Sequence, residues 1–398
     1  MPSLHHAADE ARAGDAGMLG RALADTRAQT LRSFEAYAAA LPALGVPLRS
    51  ELNPPLWELG HIGWFQEWWI GRNPARGAGQ RADPLVARPP SRLAGADHLY
   101  DSSAVPHDTR WSLPLPDATA TRDYLAATLD QSLALLPPAD AGDDALYFHR
   151  LALFHEDMHN EAAIYMAHGL GFAVPDARLP AGAVAGAVDL PAGRHRLGWD
   201  GPGFAFDNEL TGRDAAIAGG AIDAAPVTNA RFAAFVEAGG YADERFWSAA
   251  GRAWRGERRQ PRFWRRAGSR WEHCWFGAWR DLDAQAPATN LSCHEAEAWC
   301  AWAGRRLPTE AEWEIAATTR AAFAWGEVWE WTADAFLPYP GFVPHPYRDY
   351  SAPWFGTRRV LRGGSVATHP RMKHPRYRNF FTPERNDIFA GFRSCPLP

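Results

Sequence analysis

The chain has 398 residues, 46% hydrophobic and 22% charged, with a formal net charge of -5. That is the balance of a globular protein with room for two cores, not of a disordered chain. It excludes a global basic field for nucleic acid, and no apolar run reaches the length of a membrane span. Neither partner is expected. The first twenty residues carry His, Asp, Glu and Arg and lack the apolar centre of a signal peptide. Cys274, Cys293, Cys300 and Cys395 show neither CxxC spacing nor scaffold density, which points to a reducing cytoplasm.

In chain order, residues 18–43 place Leu19, Leu23, Leu31, Phe34, Ala38 and Leu41 at helical spacing. Residues 56–72 (LWELGHIGWFQEWWIGR) form a second helix, 118–136 a third, and 145 to about 170 a fourth. Four long helices predict a bundle. The Pro-, Arg- and Gly-rich link from 73 to 117 exceeds an ordinary connection and is expected to cross the bundle end as a functional loop. Residues 172–191 are rich in Ala, Gly and Pro and read as a linker. Beyond them come strand-like pieces at 193–199 and 358–365, short helices at 229–240 and 292–304, and much irregular chain. Most of the 19 Trp lie after residue 245, which describes a loop-rich α+β region held by aromatic packing. The basic run Arg262–Arg266 has acidic neighbours and reads as a solvated face. The expected division is therefore a helical bundle over 1–171, a linker over 172–191 and an α+β domain over 192–398.

The strongest chemistry lies in the fourth helix, at His155-Glu156-Asp157-Met158-His159. Histidines four apart share a helix face, so both can reach one metal ion. A third ligand should come from a facing helix, and His61, after Gly60 on the apolar second helix, is the best placed. A lone His61 on an apolar face reads first as a hydrogen-bonded core histidine, and a single i,i+4 pair is often a surface coincidence. The combination is stronger, because a buried imidazole needs a partner and a metal supplies one. Glu161 reads as structural, and Glu156 and Asp157 as solvated or salt-bridged. Three imidazoles suit zinc, copper or iron. His-Glu-x-x-His also matches the zinc-protease pattern with Glu156 as base, although no third ligand follows at a familiar spacing.

At these residues the sequence resembles the ergothioneine-pathway sulfoxide synthases. Trp57-Glu58-Leu59-Gly60-His61 with His155-x-x-x-His159-x-Glu161 is similar to their iron-binding pattern. Those proteins join a DinB-like four-helix bundle to a formylglycine-generating-enzyme-type domain, a modified C-type-lectin fold. The second half matches that domain's hallmarks in order: Pro226–Asn229, RRLPTEAEWE at 305–314, Val328–Thr332, Leu361–Ser365 and Gly391–Arg393. Most of these read as architecture. Glu312 and Glu314, with Arg305 and Arg306, are expected in ion pairs and caps. Trp329 and Trp331 alternate with Glu330, as strand residues on one buried face do. Gly363-Gly364 suggests close approach or positive φ. Formylglycine-generating enzymes use a pair of cysteines late in the domain, whereas Tyr377–Phe381 here contains none. Copper-dependent cysteine oxidation is therefore not expected.

The resemblance implies iron(II) held by His61, His155 and His159, O2 as co-substrate, and joining of a sulfur or selenium donor to the imidazole of hercynine. It implies substrate contacts from Arg110, Asn379 and Arg385, and a proton-delivering tyrosine best matched by Tyr347, with Tyr350 and Tyr339 as rivals. Trp64, Trp68 and Phe380 are candidate walls for the trimethylammonium group. Two departures bear on the donor. Met158 stands where many members have a Gln that touches hercynine, and Phe381 stands where users of γ-glutamylcysteine have an acid. The pattern is most like the selenoneine synthase branch, which takes selenium from a selenosugar; transfer of sulfur from cysteine or γ-glutamylcysteine is the near alternative. A zinc hydrolase or thiol transferase, and a non-enzymatic lectin-like binding module, are the alternatives of other classes. The expected state is a monomer or small homo-oligomer.

Overall fold

Helices fill the first part of the chain because their starts and stops are written locally. The computed structural model describes residues 4–398. Helix α1 spans Leu4–Ala13. Helix α2, Ala16–Ala40, starts where the Asp15 side chain accepts from the Met18 N–H. It ends earlier than the spacing predicts: Leu41 is extended because Pro42 follows. Helix α3 is Pro55–Gln66 and continues as a π turn over Glu67–Gly71. Helices α4 (Ala96–Tyr100), α5 (Ala118–Ala134) and α6 (Asp143–Leu170) follow, the last closed by Gly171 at φ 86. Helices α2, α3, α5 and α6 pack on one another as a bundle. The 73–117 link does more than cross the bundle end. It returns along α3, where Asp97 pairs with Arg72 at 2.7 Å and accepts from Trp64 at 2.7 Å.

The rest is a mixed α and β unit of short strands. Strands β1 (Ala187–Leu190) and β4 (Gly220–Asp223) pair, as do β2 (Gly193–Leu197) and β3 (Arg213–Ile217). Helices α7 (Asn229–Glu237) and α8 (Ala249–Arg255) precede an antiparallel sheet of β5 (Trp264–Ala267), β6 (Arg270–Trp275) and β7 (Ala278–Asp281). Helix α9, Cys293–Ala303, leads through β8 (Arg305–Arg306) to α10 (Glu310–Thr319). A four-stranded sheet runs β11-β10-β9-β12, from Asn379–Phe381, Arg359–Arg362, Trp329–Ala335 and Ala390–Gly391. Strand β13, Cys395–Pro396, pairs with β8.

The RRLPTEAEWE string now has a physical reading. Thr309 and Glu312 form a capping box at the start of α10, and Glu312 also pairs with Arg306 at 2.7 Å. The other expected partners differ: Glu314 pairs with Arg362, and Arg305 with Asp223. Trp329 and Trp331 are buried, but so is Glu330, which is ion-paired to Arg393. Strand β9 therefore has no solvent face there, and its alternation separates two interior environments. Gly363 and Gly364 have φ of 101 and 100.

The two parts share one apolar core that includes Leu19, Trp57, Phe148, Trp331 and Phe392. Buried polar contacts also join them. Arg12 pairs with Glu209 at 2.7 Å and Arg371 with Asp157 at 2.7 Å. Glu161 accepts from the Trp329 N–H at 2.6 Å and from Ser365 and Thr368 at 2.9 Å each. Among the described residues, no helix is long and apolar enough to cross a membrane.

Candidate metal centre

A Cβ at Gly60 would fall 2.2 Å from the Tyr100 ring, so glycine there lets α4 close on α3. The closure brings the Tyr100 carbonyl to 2.7 Å from His61 Nδ1. A carbonyl only accepts, so Nδ1 donates and Nε2 keeps its lone pair. On α6, His155 and His159 lie one turn apart with their Nε2 atoms separated by 3.2 Å. His159 Nδ1 lies 2.5 Å from Glu58 Oε2. Burial opposes charge on Glu58, but the charge and hydrogen bond of His159, aided by His61, hold its carboxyl down to about 2. The carboxylate therefore accepts, and His159 also turns Nε2 inward.

One ligand nitrogen from each of His61, His155 and His159 lies within 4.8 Å of the others. Burial pulls His61 down to about 3 and His155 well below the ordinary imidazole range, so both rings are neutral. Three imidazole nitrogens gathered in one place, two of them on rings kept neutral by burial, are the donor set of a transition-metal ion. Two of the rings are held by stacking: His155 lies on Phe65 with centroids 3.5 Å apart, and His61 on Trp57 at 4.8 Å. The stack continues from His61 to Trp64 and Trp68, with centroid steps of 5.9 and 5.4 Å.

The histidines open on a cavity of about 530 Å³ lined by residues of both parts, among them Trp57, Arg110, Met158, Tyr347, Tyr350 and Trp354. The Arg110 guanidinium lies 3.8 Å from the centre of the Trp57 ring. Tyr347 packs on Phe65 at 5.0 Å and stands 6.3 Å from the His155 ring, centroid to centroid. Tyr350 lines the same cavity and donates to the Tyr377 hydroxyl, which in turn donates to Met158 Sδ at 3.5 Å. Tyr339 lies elsewhere, against Arg213 and Arg378.

Six residues expected at the substrate are not among the lining residues. Phe380 stacks on Phe336 at 4.0 Å and stands behind Tyr350 at 5.9 Å. Asn379 accepts from the Phe380 N–H, and Phe381 packs under Arg385, which grips Asp387 through two bonds of 2.6 Å. Trp64 and Trp68 line an adjoining cleft of about 280 Å³ with Asp101 and Asp349, not the histidine cavity itself. Glu156, the base of the zinc-protease reading, is engaged by Arg27 and Thr30 at 2.8 and 2.7 Å. Glu58, Asn53, Trp57 and Tyr377 were missed as site residues by sequence reasoning. The available signal was a lone acid on an apolar helix, which needs a partner if it is buried. All four cysteines are free, and burial pushes the thiols of Cys293 and Cys395 up to about 12, away from thiolate chemistry.

Residues 175–327 and 324–395 match the sulfatase-modifying factor enzyme 1-like domain. The chain is 34% identical to the hercynine oxygenase of Mycolicibacterium smegmatis, over 93% of this chain and 96% of that protein. It is 33% identical to the hercynine oxygenase of Mycobacterium tuberculosis over the same shares. The formylglycine-generating enzyme of Streptomyces coelicolor is 31% identical over 52% of this chain and 88% of that protein. Likeness along both halves, and not along the second alone, decides between these groups: the chain is an enzyme of the ergothioneine-pathway sulfoxide synthase family, and its second half is a formylglycine-generating-enzyme-type domain.

Proposed function

We propose that this protein is a non-heme iron(II), O2-dependent enzyme that joins selenium from a selenosugar to the imidazole of hercynine. The observation that carries the reading is the convergence of three imidazole nitrogens on a cavity walled by both halves of the chain. Likeness along nearly the whole length to proteins named hercynine oxygenase supports hercynine as acceptor. Iron bound by His61, His155 and His159 would supply the site at which oxygen and a chalcogen donor are activated.

The chain's own residues do the rest. Trp57, Tyr347 and Tyr350 form an aromatic wall that narrows the space beside the histidines and excludes water. Burial pushes the Tyr347 phenol up, so it keeps its proton at neutral pH and can deliver it into the cavity. Met158 presents a polarizable thioether beside the ligands, a wall suited to a soft selenium donor. The zinc-hydrolase reading loses its base, because Glu156 is committed to a buried ion pair.

Sulfur transfer from cysteine or γ-glutamylcysteine is the second reading. Arg110 favours it: the guanidinium lines the cavity, has no ion-pair partner among the described residues, and suits a donor carboxylate. Protein loaded with iron without oxygen, then given hercynine and one donor, would be exposed to oxygen and its products weighed by mass spectrometry. The selenium reading expects product from the selenosugar and none from either thiol. Product from thiols alone would overturn it in favour of the second.

A further inference from the structure

Glu58 is a carboxylate three residues before His61 on an otherwise apolar helix face, and its two oxygens have different partners. Oε2 receives the His159 Nδ1–H at 2.5 Å, and Oε1 receives an Asn53 Nδ2–H at 2.5 Å. The Asn53 amide is oriented from both ends, because its Oδ1 accepts from Arg110 at 2.9 Å. Arg110 is held there by neutral partners only: Asn53, the Val105 carbonyl and the face of Trp57. Its buried Nε has no hydrogen-bond partner. Asn53, Arg110 and His159 all line the histidine cavity. A continuous row of hydrogen bonds thus runs from a cation on the cavity wall, through an amide and a carboxylate, to one of the three converging imidazoles.

We propose that Glu58 is the positioning residue for His159 as a metal ligand, and that Asn53 couples it to an anionic group bound at Arg110. This rests on the metal reading of the three histidines. A carboxylate on Nδ1 fixes the tautomer that exposes Nε2 and raises the basicity of that nitrogen, so it sets how tightly the ring holds a metal. An anion that draws Arg110 toward itself loosens the grip on Asn53 Oδ1, which changes what Asn53 gives to Glu58. Coupling of this kind is reciprocal: the factor by which the anion changes metal affinity is the factor by which the metal changes anion affinity.

The test uses the full chain, with cobalt(II) as metal probe in competition with a chromophoric chelator, and acetate as anion probe. Glu58→Gln, which keeps shape and removes charge, is expected to weaken cobalt binding about 10–100-fold. Acetate is expected to shift cobalt affinity in the native protein and not in Asn53→Ala. In the metal-free native protein, proton NMR should show the His159 Nδ1–H far downfield, as a charge-assisted bond requires. Cobalt binding by Glu58→Gln at native strength would overturn the positioning role; so would absence of the downfield signal, a readout that holds even if the variant fails to fold. An acetate effect that is missing from the native protein, or that survives Asn53→Ala, would overturn the coupling. Failure of the native protein to bind cobalt would instead sink the metal reading beneath it.

Discussion

In the proposed reaction, Tyr347 is the residue that would separate holding substrates from transforming them. It packs on Phe65, 5.0 Å away, which in turn stacks on the candidate ligand His155. Tyr347→Phe keeps the ring and removes the proton. The expected outcome is unchanged iron content by metal analysis with turnover lowered on the order of 10²–10⁴-fold. A matched fall in iron content would mean that the tyrosine shapes the centre instead. At this scale the sequence was legible where residues sit on one helix face, as with His155 and His159. It was less so where meaning depends on distance along the chain. Glu58 and His159 are 101 residues apart, and nothing in the spacing of either announces the other. Phe381 and Arg385 show the converse: a matching motif located them, but their side chains are committed to each other and to Asp387.

Helix α6 carries two of the candidate ligands, and the polar side chains of Glu156, Asp157 and Asn160 beside them are buried as well. Glu156 pairs with Arg27, Asp157 with Arg371, and Asn160 donates to Thr26. This is why a periodicity argument reads Glu156 and Asp157 as solvent-facing or paired without choosing between them: the apolar stripe it seeks is interrupted by buried charge. Asp157→Ala would leave Arg371 buried beside Asp25 alone, and should cost about 3–5 kcal/mol in urea-induced unfolding. Replacing the pair together, Asp157→Leu with Arg371→Met, should recover most of that loss, since neither charge is then stranded. A single substitution within about 0.5 kcal/mol of native would show the pair to be idle.

The whole molecule keeps several further imidazoles neutral in its interior. Away from the candidate ligands, burial lowers His149, His273 and His345 to about 4 and His168 to about 3, from an ordinary 6.5. In the unfolded chain the same groups take up protons near 6.5, so below that pH the unfolded state binds more protons than the folded one. Stability is therefore full above about 6.5 and declines as pH falls toward 4. Thermal melting of the metal-free protein across that window should show a falling midpoint, and a flat profile would contradict the burial of these rings. The broad plan of helices first and irregular α+β chain second was visible in composition. The buried polar contacts between the two were not, because partners such as Asp157 and Arg371 stand far apart in the chain.

Those pairs have a consequence for how such a chain can change over generations. Arg12 with Glu209, and Asp157 with Arg371, are salt links between halves, each closed to solvent. A gene that acquired an unrelated bundle by recombination would bury one charge of each pair without its counterpart. The pairs act in that sense as a ratchet: with both charges inside, neither half can be exchanged without its matched partner.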